Sequence, residues 1–340
     1  MKTAIVSLTK NGGITAKKVQ DAIGGDLFCR VPPGGEEASA FQKPLKELMT
    51  DLFPLYDRFV MIMATGIVVR TISPLIVKKD RDPAIVVMDE MGRFAISLLS
   101  GHLGGANELA AELEETMKAT AVITTATDIN KMVAFDMVAK ENRCAIEDLS
   151  RLAAVSGALV NGKSVELFCP YPIDGTVPTN IRLTDDPAQS NVCISNRKET
   201  VSEETLILRP KNLILGAGCR KGKPYADIKE AFETFLAETG FAKKSLCAVV
   251  SIDLKAEEEG LLRLSEELGI PFETYTAEEL RPFDTTEGDS DFVRKVVGVG
   301  SVSEAAARRG SNGGETLIPK RKYNGITFSL AQCPTKIRLS

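Results

Sequence analysis

The one histidine of this chain stands in a glycine-rich segment. His102 is the single histidine among 340 residues, and it lies in SLLSGHLGGANELA, residues 97–110. The imidazole of histidine titrates near neutral pH, which suits general acid or base catalysis. His102 is therefore a candidate catalytic base, although a histidine that only caps a tightly packed turn would have the same neighbours.

The neighbours of His102 could bind a developing negative charge. Gly101, Gly104 and Gly105 lack a Cβ, so the backbone can approach a ligand closely there. A helical pattern follows them, and the N–H groups at the start of a helix favour anions. Asn107 can orient a group or donate a hydrogen bond, and Ser100 adds a hydroxyl. The segment therefore predicts a site that could stabilise an oxyanion.

A second segment, MATGIVVR, places Thr65 and Gly66 where a predicted strand gives way to a helix. Backbone N–H groups at such a point can hold an anion. Arg70 follows one turn further along the same helix. A plain strand-to-helix turn is the alternative, and the sequence leaves both interpretations open.

A third segment, MDEMGRF, puts Asp89 and Glu90 at the end of a predicted strand. Ligands of open α/β sheets bind outside the carboxyl ends of the strands, so either carboxylate could orient a base or a water molecule. Acidic residues beside Gly92 are also ordinary in turns. The sequence alone favours the turn.

A cationic loop follows the first predicted strand of the C-terminal part. The segment LGAGCRKGKP includes Gly218, Cys219, Arg220 and Lys221. Its glycine spacing resembles a dinucleotide-binding fingerprint with one residue too many, which is weak evidence for a nucleotide. Arginine and lysine side chains here suit several carboxylates or phosphates better than one pyrophosphate.

Charged residues also follow the next predicted strand. The segment SIDLKAEEEGLL places Asp253, Lys255 and Glu258 at the edge of the sheet where the cationic loop is expected. They are candidates for substrate binding. A surface charge cluster at a helix start, where carboxylates favour the helix dipole, is the alternative.

The alternation of apolar strands and helical patterns predicts an α/β fold. Strands that read as continuous apolar runs are typical of mainly parallel sheets covered by helices. We expect an N-terminal α/β domain over residues 1–125, a small α+β middle segment over 126–209 and a C-terminal α/β domain over 210–340. The sequence also predicts a hairpin-like turn around Glu90–Gly92 and a helix from Asp289.

Composition excludes several classes of protein. With 44% hydrophobic and 26% charged residues, the chain is expected to fold. A net charge of -4, five Tyr and no Trp argue against nucleic acid as the main partner. Seven scattered Cys without a C-x-x-C pair argue against a disulfide framework or a zinc site. No apolar run approaches the ~20 residues of a membrane span, so we expect a cytoplasmic protein without a membrane partner.

The residues alone leave alternatives open. One is a hydrolytic or eliminating enzyme that acts on a substrate with several carboxylates, with His102 as the base. Another is a ligand-binding protein without catalysis. A third is an NAD(P)-linked enzyme in which Asp253 holds the ribose, although Lys255 and the extra loop residue count against it.

Taken in order, these segments resemble the cobalt-precorrin-5A hydrolase family of anaerobic cobalamin (vitamin B12) biosynthesis. The N-terminal resemblance runs from MATGIVVR through MDEMGRF to SGHLGGANELA, residues 63–110. The C-terminal resemblance is carried by LGAGCRKG, by IDLKAEEEGLLRLSEELGIPFETYTAEEL and by VGVGSVSEAAARRGS. This C-terminal part is also similar to a domain that some organisms make as a separate small cobalamin-biosynthesis protein.

The resemblance implies a reaction of tetrapyrrole metabolism. The family opens the δ-lactone of cobalt-precorrin-5A and releases acetaldehyde, which gives cobalt-precorrin-5B. Cobalt belongs to this corrinoid substrate, so no cofactor of the protein is expected. The resemblance also implies that neighbouring enzymes of the pathway could be protein partners. A non-catalytic carrier of corrinoid intermediates is the rival interpretation.

The resemblance assigns no catalytic residues, so their roles are hypotheses. His102 would activate water against the lactone carbonyl, with Asp89 or Glu90 orienting it or relaying the proton. The N–H groups of Gly104 and Gly105, with Asn107, would stabilise the oxyanion. Peripheral carboxylates would be held at two places, by Thr65, Gly66 and Arg70 and by the C-terminal cationic loop.

Overall fold

The computed structural model describes residues 1–33, 40–78, 81–126, 132–284 and 300–339. These residues form two compact units, Met1–Met137 and Val138–Ser340. The helix expected from Asp289 and the first three residues of VGVGSVSEAAARRGS lie outside the described residues. The predicted division into three segments stays a prediction.

The first unit is built on a six-stranded sheet. Its strands are β1 (Thr3–Ser7), β2 (Asp26–Cys29), β3 (Arg58–Ile62), β4 (Ala84–Met88), β5 (Phe94–Leu99) and β6 (Thr120–Val122). The spatial order is β2-β1-β3-β4-β5-β6. Every neighbouring pair is parallel except β4 and β5, which are antiparallel.

Helices cover both faces of this sheet. They are α1 (Lys10–Ile23), α2 (Leu45–Leu52), α3 (Thr65–Ile72) and α4 (Ala106–Met117). Helix α5 (Phe135–Glu141) comes next in the chain and begins in the first unit. Residues of α1 and α4 pack with Ile5 and Val60 in one apolar cluster. Residues of α2 and α3 pack with Phe59 and Met61 in another. Successive residues of a strand point to opposite faces, so the all-apolar strands supply both clusters.

The reversal at β5 decides where its following loop lies. The chain turns at Gly92, whose φ is +69°, so β5 runs back along β4 and Leu99 pairs with Ile85. The loop after β5 therefore leaves the sheet at the amino ends of β1, β3 and β4. Asp89 and Glu90 lie at the carboxyl ends of these strands. They are about 20 Å from the loop after β5, because β5 has six residues and lies between them.

The second unit contains a sheet formed by the middle of the chain. Its strands are β7 (Cys144–Ile146), β8 (Val165–Phe168), β10 (Ile181–Thr184), β11 (Val192–Ile194) and β12 (Leu206–Pro210), in the order β10-β8-β11-β12-β7. Only the β12–β7 pair is antiparallel. Helix α6 (Ser150–Val160) accompanies the sheet, and β9 (Ile173–Asp174) pairs with β18 (Ile337–Arg338).

A second five-stranded sheet follows in the same unit. Its strands are β13 (Leu213–Cys219), β14 (Leu246–Ile252), β15 (Phe272–Tyr275), β16 (Glu315–Tyr323) and β17 (Ile326–Gln332), in the order β15-β14-β13-β17-β16. Strands β13 to β15 are parallel, whereas β16 and β17 form an antiparallel hairpin beside β13. The helices are α7 (Tyr225–Thr239), α8 (Glu259–Leu268), α9 (Ala277–Leu280) and α10 (Val302–Gly310).

The bare backbone at Gly216 allows α10 to lie directly on this sheet. A Cβ at Gly216 would lie 1.8 Å from the carbonyl oxygen of Ser303. Helices α7 and α8 pack on the other face, where Phe232 and Leu261 join one apolar cluster. The predicted α/β class is confirmed, with mixed and mostly parallel sheets. Within the described ranges, no helix is long and apolar enough to cross a membrane.

Candidate active site

The side chain of His102 is hydrogen-bonded to a carboxylate that sequence reasoning missed. Its Nδ1 atom lies 3.0 Å from Oδ2 of Asp136, in the first turn of α5. The two side chains are 13% and 19% exposed. Asp136 lies 34 residues further along the chain, in an amphipathic helix without glycines, so no local pattern marks it.

The environment of Asp136 favours its ionised form. Burial raises the pKa of this carboxyl, but the hydrogen bond from His102 and the charge of a protonated imidazole lower it more. The backbone N–H of Met137 also donates to Oδ1 at 3.0 Å. The pKa therefore lies below the usual 3.8. An ionised Asp136 fixes the proton of neutral His102 on Nδ1, so the basic lone pair lies on Nε2.

Local packing explains the glycines around His102. A Cβ at Gly101 would lie 2.8 Å from Oδ1 of Asn107, and one at Gly104 would lie 2.3 Å from Cβ of Ser100. Gly105 has a φ of +89°, which side chains with a Cβ rarely adopt. The three glycines are thus required by the loop itself, whether or not a ligand binds there.

The loop already uses most of the N–H groups at the start of α4. Ala106 donates to the carbonyl of Ser100 at 3.1 Å, and Asn107 donates to that of Gly101 at 3.0 Å. Gly105 donates to the carbonyl of His102 at 3.0 Å. Of the two glycine N–H groups predicted for an oxyanion, Gly104 alone has no acceptor within the described part of the chain.

The Asn107 side chain connects three segments of the chain next to the His102 loop. Its Oδ1 accepts from the Ser97 hydroxyl at 2.6 Å, and its Nδ2 donates to Oγ1 of Thr125 at 3.2 Å. These contacts link β5, α4 and the segment after β6. The Ser100 hydroxyl is buried and makes no hydrogen bond within the described ranges. The structure therefore brings Ser100, Asn107 and His102 together at one edge of the sheet.

The structure does not bring Asp89 or Glu90 to His102, because β5 is antiparallel to β4. Asp89 accepts from the N–H groups of Arg93 and Phe94 at 2.7 and 3.0 Å. Burial raises the pKa of Asp89, but these N–H groups and the Arg93 guanidinium lower it below its usual value. Glu90 accepts from the Thr9 hydroxyl at 2.6 Å. Asp89 thus has the turn contacts that its sequence favours.

The anion-binding position predicted at Thr65 and Gly66, after β3, lies at the same edge of the sheet as Glu90. Helix α3 begins at Thr65, with no side-chain hydrogen bond at its N-cap. The Arg70 guanidinium donates to the carbonyl of Gly66 at 3.1 Å, and its side chain is otherwise exposed. Thr65, Gly66 and Arg70 are therefore together, but they are at the opposite edge from His102.

The C-terminal candidates come together around a buried carboxylate. Glu258 accepts from the Gly222 N–H at 2.6 Å and from the Lys255 ammonium at 2.9 Å. Burial raises the pKa of Glu258, but Lys255 and the Gly222 N–H lower it below its usual value. These contacts tie the loop after β13 to the loop after β14. The sequence prediction that both loops share one edge agrees with this geometry.

The cationic loop itself faces solvent. Arg220 and Lys221 are exposed and form no ion pair with the described residues. An open cleft of about 380 Å³ lies beside them, lined in part by Lys221, Tyr225 and Arg263. Asp253 is exposed, and its carboxylate accepts from the Leu254 N–H.

The thiol of Cys219 is protonated at neutral pH. Burial raises the pKa of its thiol to about 11. The seven cysteines are all free thiols. Across the described ranges, no group of three His, Cys, Asp or Glu side chains could hold a metal ion.

Profiles of three protein regions match the chain in sequence order. They are cobalamin synthesis G N-terminal at residues 47–128, cobalamin biosynthesis central region at 133–210 and cobalamin synthesis G C-terminus at 213–331. A cobalt-precorrin-5A hydrolase of Priestia megaterium is 32% identical, covering 97% of this chain and 95% of that protein. One from Salmonella typhimurium is 34% identical, covering 96% of each.

This chain belongs to the cobalt-precorrin-5A hydrolase family. The resemblance drawn from the sequence motifs is confirmed over nearly the whole chain. Protein CobE of Sinorhizobium sp is 30% identical over 127 residues, which are 37% of this chain and 82% of that protein. His102 lies within the N-terminal profile, whereas Asp136 lies within the central one.

Proposed function

We propose that this cobalt-precorrin-5A hydrolase family member opens the δ-lactone of cobalt-precorrin-5A and releases acetaldehyde, giving cobalt-precorrin-5B. Its similarity to two proteins named for this hydrolysis, at 32% and 34% identity over almost the full chain, carries the proposal. The His102–Asp136 pair supports it because lactone hydrolysis needs a base that acts near neutral pH.

In this mechanism Nε2 of His102 removes a proton from water. The resulting hydroxide adds to the lactone carbonyl carbon and forms a tetrahedral oxyanion. Asp136 stays ionised, holds Nδ1–H and stabilises the imidazolium that forms, as the carboxylate of a catalytic triad does. Asp136 takes the orienting role that was predicted for Asp89 or Glu90 from the sequence.

Collapse of the tetrahedral intermediate breaks the acyl carbon–oxygen bond. The carbonyl becomes a carboxylate, and the released oxygen stays on the two-carbon bridge as an alkoxide. The alkoxide then becomes the carbonyl of acetaldehyde as the bond from the bridge to the ring breaks. The electron pair of that bond passes into the π-system of the macrocycle, which balances the step.

The backbone around His102 supplies the oxyanion donor. The Gly104 N–H makes no hydrogen bond with the described residues, so it can donate to the tetrahedral intermediate. One donor of this kind is typically worth about 3–4 kcal/mol of transition-state stabilisation. Asn107 and the Gly105 N–H support the loop through the hydrogen bonds that they already make.

The C-terminal loop binds carboxylate side chains of the corrinoid. Arg220 and Lys221 are exposed cations, and arginine can bind a carboxylate through two parallel hydrogen bonds. Gly222, Lys255 and Glu258 hold the loop in place through their shared contacts. Gly218, Cys219 and Asp253 lie at the same edge.

The test is incubation of the purified protein with cobalt-precorrin-5A, followed by assay of acetaldehyde and the mass of the corrinoid product. We expect stoichiometric acetaldehyde and a product of the mass of cobalt-precorrin-5B. Tight binding of the corrinoid without acetaldehyde would contradict the proposal and favour the carrier alternative. Protein that has been unfolded by heat serves as the control for spontaneous lactone opening.

A further inference from the structure

Strands β5 and β6 bring Thr125 beside the loop that carries His102. The two strands are parallel neighbours, and Ile96 pairs with Val122 near their carboxyl ends. Both strands therefore end at one edge of the sheet, and α/β sheets bind their ligands outside the carboxyl ends of strands. His102 lies three residues beyond β5, and Thr125 lies three residues beyond β6. Sequence reasoning missed Thr125, because no glycine or charged motif marks it.

A single amide group separates Thr125 from the His102 loop. The Asn107 backbone N–H donates to the Gly101 carbonyl at 3.0 Å, and a Cβ at Gly101 would lie 2.8 Å from Oδ1 of Asn107. Nδ2 of the same amide donates to Oγ1 of Thr125 at 3.2 Å. Asn107 is 7% exposed, so its packing holds the amide in one position. The Thr125 hydroxyl is thus held one amide group away from the residue that precedes His102.

The hydrogen bonds of the Asn107 amide leave the hydroxyl hydrogen of Thr125 available. The Ser97 hydroxyl donates to Oδ1 of Asn107 at 2.6 Å, and Nδ2 then donates to Thr125. Thr125 is therefore the acceptor in this contact. A hydroxyl also has one hydrogen to donate, and that of Thr125 meets no acceptor among the described residues. A hydroxyl that already accepts a hydrogen bond is polarised, which makes it a stronger donor.

Thr125 is accessible from solvent, whereas another hydroxyl at this edge is not. Thr125 is half-buried, but Oγ of Ser100 is fully buried. A neutral hydroxyl can donate to a neutral carbonyl oxygen and stays favourable as that oxygen gains negative charge. Thr125 therefore has the three properties of an oxyanion donor, which are a fixed position, an available hydrogen and access to a ligand.

We infer that the Thr125 hydroxyl donates a hydrogen bond to the lactone carbonyl oxygen, as a second donor in addition to the Gly104 N–H. The inference rests on the proposed function, because the acceptor is the carbonyl of the lactone. The hydrogen stays on Thr125, and its bond to the carbonyl oxygen strengthens as the tetrahedral oxyanion forms. Ser97 and Asn107 are positioning residues, since they fix the hydroxyl through their own hydrogen bonds.

Substitutions at the two ends of the Ser97–Asn107–Thr125 chain separate a donor from a structural hydroxyl. Thr125→Val keeps the shape of the side chain and removes the hydroxyl, whereas Thr125→Ser keeps the hydroxyl. Ser97→Ala breaks the chain at its other end and leaves the Thr125 hydroxyl in place. Thr116→Val is the matched control, because the Thr116 hydroxyl donates to the Glu112 carbonyl near the far end of α4.

The first measurement is single-turnover release of acetaldehyde from cobalt-precorrin-5A by the full chain. We expect Thr125→Val to lower the rate about 10²-fold, with a smaller change in the Kd of the lactone. Thr125→Ser and Thr116→Val should stay close to the parent rate, and Ser97→Ala should lose less than Thr125→Val. A parent-like rate in Thr125→Val would overturn the inference. So would a loss in Ser97→Ala that equals or exceeds the loss in Thr125→Val.

A second variant covers the failure of Thr125→Val to fold. Thr125→Ala removes the same hydroxyl and leaves room for a water molecule that can accept from Asn107. It should also lower the rate of acetaldehyde release, and Thr125→Ser should remain close to the parent. Thr125→Ala with the parent rate would overturn the inference.

Infrared spectroscopy tests the same hydrogen bond without the acetaldehyde assay. The probe is cobalt-precorrin-5A labelled with carbon-13 at the lactone carbonyl and bound to His102→Gln, in which we expect the lactone to persist. The carbonyl stretch should move to higher wavenumber when Thr125→Val is added, because the oxygen loses a donor. Equal wavenumbers in the two proteins would overturn the inference. A parent protein that binds the lactone but releases no acetaldehyde would contradict the proposed function, and the infrared shift would then still decide the role of Thr125.

Discussion

The Nδ1 atom of His102 lies 3.0 Å from Oδ2 of Asp136, although the two residues are 34 positions apart. The loop after β5 carries the histidine, and the first turn of α5 carries the carboxylate. Their contact converts an isolated imidazole into an oriented base with its lone pair on Nε2. The proposed hydrolysis depends on this pair more than on any other contact.

Replacement of the carboxylate should impair catalysis while the loop stays folded. Asp136→Asn keeps a similar shape but favours the wrong tautomer of His102, so we expect kcat to fall by about 10³ to 10⁴-fold with a small change in KM. The acidic limb of the rate profile should also move to lower pH, because the imidazolium loses a neighbouring negative charge. Unchanged kcat and an unchanged pH profile would show that Asp136 has only a structural role.

The same carboxylate should make the stability of the protein sensitive to acid. The folded-state pKa of Asp136 lies below 3.8, so the unfolded chain binds the proton more readily. The contribution of Asp136 to the free energy of unfolding is therefore complete above its unfolded-state pKa. This contribution is lost as pH falls through the folded-state pKa. Denaturant titrations of the parent protein and Asp136→Asn should differ most at neutral pH and converge below 3.8. A constant difference across this range would contradict the pKa direction.

The glycine at position 104 should be irreplaceable for packing reasons. Gly104→Ala places a Cβ 2.3 Å from Cβ of Ser100, so the loop must move. We expect a loss of about 1–3 kcal/mol in the free energy of unfolding, together with a lower kcat. Gly157→Ala is the control, since a Cβ there meets nothing within 4 Å inside α6 and should stabilise the protein by about 0.5–1 kcal/mol. Equal effects of the two substitutions in urea denaturation would refute this account of the loop.

The cationic loop of the second unit should depend on Glu258. Glu258→Gln keeps an acceptor for the Gly222 N–H but leaves the partly buried Lys255 ammonium without its ion pair. We expect a loss of about 1–3 kcal/mol in the free energy of unfolding and a higher KM for the corrinoid. The exposed residue Glu203 lies away from this cleft and provides the control, Glu203→Gln, which should change neither quantity. A Glu258→Gln protein with the parent stability and KM would show that the contact does not hold the loop.

Local patterns were sufficient to predict the α/β class, the hairpin at Gly92 and the shared edge of the two C-terminal loops. Successive parallel strands end at one edge, so Lys255 and Glu258 could be placed near the loop that contains Gly222. The same hairpin implies that Glu90 and His102 lie at opposite edges of the sheet. This separation cannot be recognised from the spacing of the motifs in the sequence alone. Asp136 could not be predicted, because its contact with His102 depends on how a distant helix packs.

In the proposed mechanism, Nε2 of His102 removes the proton from the attacking water. The direct test is single-turnover release of acetaldehyde from cobalt-precorrin-5A by His102→Gln, whose amide keeps the size and polarity of the site but cannot act as a base. We predict that the variant binds the lactone with the parent affinity and releases acetaldehyde at least about 10²-fold more slowly. Release at the parent rate by the folded variant would contradict the assignment.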